Sequence, residues 1–241
     1  MKLCSFASLR NTFGLLSAFA AALPAFASGG VTKVKDLMIY HDPAFYAAFP
    51  SVVTRPDGEL LVAFRRAPDR RVFGETSNNH VDPNSYLVLV RSTDDGETWT
   101  QDPELIFAHP YGGSQDPCMN QLNDGSILVS SYGWSRVKDE VKESFTDSLR
   151  HDNFVFMGGY LVKSEDGGNT WSDAIIPPAV SSSVSQNVFG EPAPAYNRGA
   201  MVQDENGRLY WAVAVQTRLS PRLTSTHPKN PDDGGLTWRH S

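Results

Sequence analysis

The sequence predicts an all-β fold of repeated antiparallel meanders. Three observations carry that prediction: an eight-residue motif recurs, apolar hairpins recur upstream of it, and the composition is that of an ordinary globular chain. The 241 residues are 40% hydrophobic and 20% charged, with 19 Gly and 16 Pro, which is neither disordered nor fibrous. A formal net charge of −6 without a Lys/Arg block argues against nucleic acid or an anionic membrane as partner. Two cysteines, Cys4 and Cys118, exclude a disulfide-stapled scaffold and a small zinc module.

The motif occupies residues 92–99 (STDDGETW), 164–171 (SEDGGNTW) and 231–238 (PDDGGLTW). Its third place holds Asp94, Asp166 and Asp233, its fifth Gly96, Gly168 and Gly235, and its last Trp99, Trp171 and Trp238. Successive aspartates stand 72 and 67 residues apart, a periodicity that marks a repeat architecture. Each copy reads as a hairpin turn. The Asp accepts bonds from the turn's N–H groups, Gly supplies positive φ, and Trp pins the turn onto its sheet.

Upstream of each copy lies a hairpin: residues 49–53 and 60–64 around Asp57-Gly58, 116–119 and 127–130 around Asp124-Gly125, 198–202 and 209–213 around Asn206-Gly207. Third strands are expected at 86–90 and 159–162, and fourth strands at 104–107 and 174–176. Four-stranded meanders repeated about an axis make a β-propeller; a plain β-sandwich is the competing architecture. The blades are expected at about 49–107, 116–176 and 198–241. The third is expected to be incomplete, because residues 220–228 contain Pro221 and Pro228 and make a poor strand. Closure needs ~4–8 blades. The chain is therefore expected to be the N-terminal half of a propeller, a fragment or a subunit that a second chain completes.

The first 27 residues read as a secretory signal peptide. Lys2 and Arg10 precede an apolar run at 13–23, and Pro24-Ala25-Phe26-Ala27 offers a cleavage site before Ser28. The apolar run is shorter than the ~20 residues of a membrane span, so the mature part, 28–241, is expected to be secreted. Cleavage removes two cations and no acid, moving the net charge from −6 to −8.

The motifs resemble the Asp-box (BNR) repeat of the sialidase (neuraminidase) family, S-x-D-x-G-x-T-W. The resemblance implies a six-bladed propeller and a glycoside hydrolase acting on terminal sugars of a glycan partner. A non-catalytic glycan-binding propeller and an inactive fragment are the alternatives. In a meander the hairpin turns and the boxes share one end, leaving the link loops at 67–85 and 135–157 on the opposite rim, where chemistry is expected. By resemblance Asp82 is the acid/base; a cap on the turn before Pro83 is the other reading. His80 can orient it or be a solvated loop residue.

Aligning first strands by their turns places Phe49, Asp116 and Arg198 at the propeller's mouth. Asp116 is either a second carboxylate or an Asp-Pro turn, and Arg198 either a clamp for a substrate carboxylate or a surface ion pair. One of Arg65 and Arg66 should face the mouth. Trp134 and Tyr132 are candidates for stacking on a sugar or for the core, and Glu191 is a weaker candidate. Sialidases open blade one with Arg-Ile-Pro, where this chain has Ala48-Phe49-Pro50; that arginine has no counterpart here. The family's Tyr nucleophile and Glu partner are expected in later blades. The six histidines show no ligand spacing, so no metal and no cofactor is expected.

Overall fold

The computed structural model describes residues 32–145, 149–151, 153–179, 186, 191–194, 199, 201–217 and 220–229. The signal segment, Arg198 and the third box with Asp233, Gly235 and Trp238 lie outside the described residues. The chain divides into an N-terminal unit, Met1–Asp36, and a main unit, Leu37–Ser241. In the former, Lys33 and Asp36 make an exposed ion pair of 2.6 Å. Among the described residues no helix is long and apolar enough to cross a membrane.

The main unit is almost wholly β. Its first sheet runs β1 (Phe45–Thr54), β2 (Leu60–Pro68), β3 (Tyr86–Ser92) and β4 (Glu104–Phe107), antiparallel neighbours in chain order. The second contains β5 (Gly113–Ser114), β6 (Cys118–Gln121), β7 (Ile127–Arg136), β8 (Leu149–His151) and β9 (Phe154–Ser164); β5 and β6 both pair with β7. The third contains β10 (Met201–Gln203), β11 (Leu209–Thr217) and β12 (Ser220–Lys229).

Two expectations need correction. The segment with Pro221 and Pro228 is a strand, β12, paired with β11 from Trp211↔Lys229 to Thr217↔Ser220. It is the outer strand of its described sheet, the position where a residue lacking an N–H is tolerated. The fourth strand at 174–176 shrinks to one bridge, Leu161↔Ile175.

Proline also shapes the innermost strands. Pro50 follows Phe49, whose φ of 58° is left-handed, and the β1–β2 register jumps between Ala48 and Ser51. Pro117 separates β5 from β6 and leaves Asp116 in the gap. In both sheets an Xaa-Pro pair removes a ladder donor at the same place and frees the preceding residue to leave the pleat.

Packing between sheets explains the continuous apolar runs. Leu61, Ala63, Leu87 and Leu89 of the first sheet meet Ile127, Val129, Tyr160 and Val162 of the second. Leu122, Leu128 and Leu161 of the second meet Leu209, Trp211 and Val213 of the third. On the other face of the first sheet, Val62, Phe64, Val88 and Val90 are covered by Ile39, Tyr40 and Trp99. Strands buried on both faces lose the polar alternation of a half-exposed sheet.

The two described boxes are closed by the same bonds. Ser92 Oγ donates to Asp94 Oδ1 (2.8 Å), Gly96 N to Ser92 Oγ (2.9 Å), and Thr98 N and Oγ1 to the Asp94 carboxylate (2.9 and 2.6 Å). Ser164, Asp166, Gly168 and Thr170 repeat this with 2.8, 2.7, 2.9 and 2.6 Å. The threonine hydroxyls foremost hold both carboxyls down, to about 2. A folded pKa below the unfolded value of about 3.9 gives stability that is complete above that value and lost as pH falls toward 2. Thermal midpoints should therefore fall steeply between pH 4 and 2, and the double variant Thr98→Val, Thr170→Val should flatten that dependence.

At this end Arg91 ties the sheets together. Its guanidinium bonds Glu104 at 2.7 and 2.9 Å, lies 3.3 Å from Glu59, and donates to Gly167 O of the second box at 2.9 Å. Its side chain is only 11% exposed, so truncation leaves half-buried acceptors unpaired. Arg91→Met should cost about 2 kcal/mol in chemical denaturation and leave the opposite rim unchanged.

Candidate functional site

The opposite end gathers side chains from the first two sheets. Arg65, at the end of β2, is wholly buried. Its Nη1 donates to Gln115 Oε1 at 2.6 Å and to the His80 carbonyl. The rings of Phe49 and Tyr46 lie 5.0 and 5.5 Å from its guanidinium carbon. Among the described residues Nε and Nη2 have no hydrogen-bond partner. Desolvation lowers its pKa, and Asp116, Tyr46 and Tyr132 oppose that shift. Arg66, one residue on, faces the other way because side chains alternate along a strand. It bonds Asp42 at 2.7 Å and Tyr86 at 2.9 Å, with the Phe45 ring 3.5 Å away. Of the two arginines, only Arg65 belongs to the cluster.

Asp116, in the gap made by Pro117, is buried and accepts from Tyr132 Oη at 3.2 Å. The His80 ring meets Phe49 edge-on at 5.1 Å. Phe49, Arg65, His80, Asp116 and Tyr132 thus converge from separate stretches of chain. Trp134 adjoins this set through Tyr132: its ring packs 5.1 Å from Phe156, in a cluster with Tyr132 and Ala193. Glu191 is exposed.

Asp82 is 1% exposed and its carboxylate is engaged on both oxygens. Arg70 Nε donates to Oδ2 at 2.5 Å and Nη2 to Oδ1 at 2.7 Å, while Asn84 N donates to Oδ1 at 2.8 Å. Arg70 begins a 3-10 turn, Arg70–Phe73, capped by Asp69, which accepts from Arg71 N at 3.0 Å. The Arg71 guanidinium beside Asp69 holds that carboxyl well below the usual range.

A chain of buried polar groups joins this loop to the cluster. Gln115 Nε2 donates to Ser85 Oγ at 3.3 Å, and Ser85 Oγ lies 2.8 Å from Asp82 O and 2.5 Å from Ser114 O. Nothing local in the sequence singles out Arg70, Gln115 or Tyr46, because their roles depend on partners distant in the chain. Among the described residues no group of His, Cys, Asp and Glu is placed to hold a metal ion.

No protein-family model matches the chain, and no curated protein matches it. Among solved structures it is similar to a protein of unknown function from Dyadobacter fermentans DSM 18053. That match has 52% identity and a TM-score of 0.82, covering 88% of this chain and 58% of the other. The chain thus spans less than two thirds of that protein's length. It is also similar in fold to Zg3597, a family 117 glycoside hydrolase from the marine bacterium Zobellia galactanivorans, with 12% identity, a TM-score of 0.54, and coverage of 82% and 56%. The NanB sialidase from Streptococcus pneumoniae matches with 13% identity, a TM-score of 0.54, and coverage of 85% and 46%.

Proposed function

With the fold established as an all-β propeller of the kind found in glycosidases and sialidases, we propose that the protein is an exported, sialidase-like glycoside hydrolase. Its substrate is a terminal sugar, sialic or otherwise acidic, of an extracellular glycan. The reading rests on the convergence of Arg65, Asp116 and Tyr132 at the loop end of the propeller, joined through Gln115 and Ser85 to the loop that bears Asp82.

Each group has a role in this reading. Asp82 is the acid/base, and its transfer of a proton to the leaving oxygen requires Arg70 to release one carboxylate oxygen first. Asp116 and Tyr132 provide an acceptor and a phenol for sugar hydroxyls; sialidases use a tyrosine as nucleophile. Arg65, being fully buried, is a positioning residue that fixes Gln115 and the His80 backbone. Arg198 is proposed as a carboxylate clamp on the sequence argument alone. The activity is proposed for the whole protein, of which other parts of the propeller supply the remaining groups.

The bidentate Arg70–Asp82 pair favours a second reading, a glycan-binding propeller without turnover, in which Asp82 only shapes its loop. Release of free sugar from a panel of 4-methylumbelliferyl glycosides, including the sialoside and glucuronide, separates the two. Turnover that is lost in Asp82→Asn supports hydrolysis, whereas binding without turnover supports the second reading.

A further inference from the structure

We propose that the rim carries a second sugar subsite, for a pyranose bearing a carboxylate or sulfate, in the cleft between the loop after Asp82 and the loop before β5. This inference rests on the glycan-active reading and names the substrate as an oligosaccharide with an acidic unit beside the cleaved one. The cleft has a volume of about 520 Å³ and is lined by Pro83, Asn84, His109, Tyr111 and Arg136 among others. A second cavity of about 510 Å³ adjoins it, sharing Pro83 and Arg136. Each is within the range of small-molecule sites. Pro83 directly follows Asp82, so the cleft begins next to the proposed acid/base.

Charge and shape define the ligand. In a chain of net charge −6, Arg136 is, among the described residues, the only formally charged one lining the first cavity. Burial pushes the His109 imidazole pKa down, so no second cation forms there near neutral pH. Arg136 has no anionic partner among the described residues, and its guanidinium stands 5.8 Å from the Phe154 ring centre. The adjoining cavity adds Lys138 but also Asp139 and Glu140. The anionic group therefore belongs in the first cavity, with Arg136 as its fork-shaped donor.

Tyr111 supplies a platform. Its side chain is largely exposed, at 65%, and aromatic faces take the apolar side of a sugar ring. Exposure here does not mean looseness. Tyr111 O accepts from Ser135 Oγ, Tyr111 N donates to His109 Nδ1 at 3.2 Å, and His109 N donates to Ser114 Oγ at 3.2 Å. Next to it Gly112 lies so close that a Cβ would collide with Trp134 O and come within 2.8 Å of Ser135 Oγ. These contacts hold the backbone that carries the ring, so binding costs little backbone freedom.

Isothermal titration of the full chain with α2,8-linked trisialic acid and trigalacturonate, each with an acidic unit beside the terminal one, and with neutral cellotriose tests the proposal. The acidic trisaccharides should bind more tightly than cellotriose. Arg136→Gln should erase that preference with a loss of about tenfold, and Tyr111→Ala should weaken all three sugars. Both residues are at the surface, and near-ultraviolet circular dichroism checks that the variants keep their packing. Acidic sugars bound equally by wild type, Arg136→Gln and Tyr111→Ala would overturn the subsite. If Asp82→Asn still abolishes turnover in that case, the hydrolase reading stands without it. A wild-type chain that binds neither acidic trisaccharide would overturn both.

Discussion

Gly113→Ala should unfold the rim at a cost of about 3 kcal/mol and remove any activity the protein has. Gly113 has ordinary backbone angles, so the expectation is steric rather than conformational. A Cβ there would collide with the Asp82 carbonyl and approach Ser85 Oγ to 2.6 Å. Neither neighbour can retreat cheaply. The Asp82 backbone is held by the Ser85 N–H at 3.2 Å, and Ser114 N donates to Ser85 O at 2.9 Å. The loop bearing Asp82 and the first strand of the second sheet are therefore one packed unit. Chemical denaturation should show a lower midpoint with an unchanged slope. A Gly113→Ala protein of wild-type stability would mean that the two segments do not touch as described.

Asp82→Asn is expected to lower turnover by about 10²–10⁴-fold, the usual contribution of a positioned acid or base. The amide is nearly isosteric and still accepts from Asn84 N, so the loop should persist. Arg70 loses its bidentate partner, but it is 20% exposed and lies 3.8 Å from Glu75. The stability loss should therefore be about 2 kcal/mol, less than for a fully buried pair. A purely structural Asp82 would give a different pattern, a raised KM with little change in kcat.

The sequence made some parts of this arrangement legible and not others. Continuous apolar runs next to Asp-Gly turns and Asp boxes located β2, β3 and β7, because strand composition and turn chemistry are local properties. The equivalence of Phe49 and Asp116 was also readable, since each precedes a proline at a fixed distance from its turn, and both stand where the ladder is interrupted. Residues 220–229 misled because two prolines argue against a strand locally, while pairing with β11 is decided by tertiary contact. Arg70 was hidden in the run Arg65, Arg66, Arg70 and Arg71, where nothing local tells which guanidinium finds which carboxylate. In the structure Arg66 takes Asp42, Arg70 takes Asp82 and Arg71 takes Asp69. Gln115 meets Arg65 across 50 residues of chain, a separation that no motif records.

Glycan hydrolysis through Asp82 at the loop end of this propeller is our proposal. The measurement that tests it most directly is the rate of terminal-sugar release from acidic glycosides by the wild-type protein and by Asp82→Asn, assayed together. Release by the wild type and a loss of at least about 10²-fold in the variant are expected. Equal rates in the two proteins, or glycan binding with no release by the wild type, would contradict it.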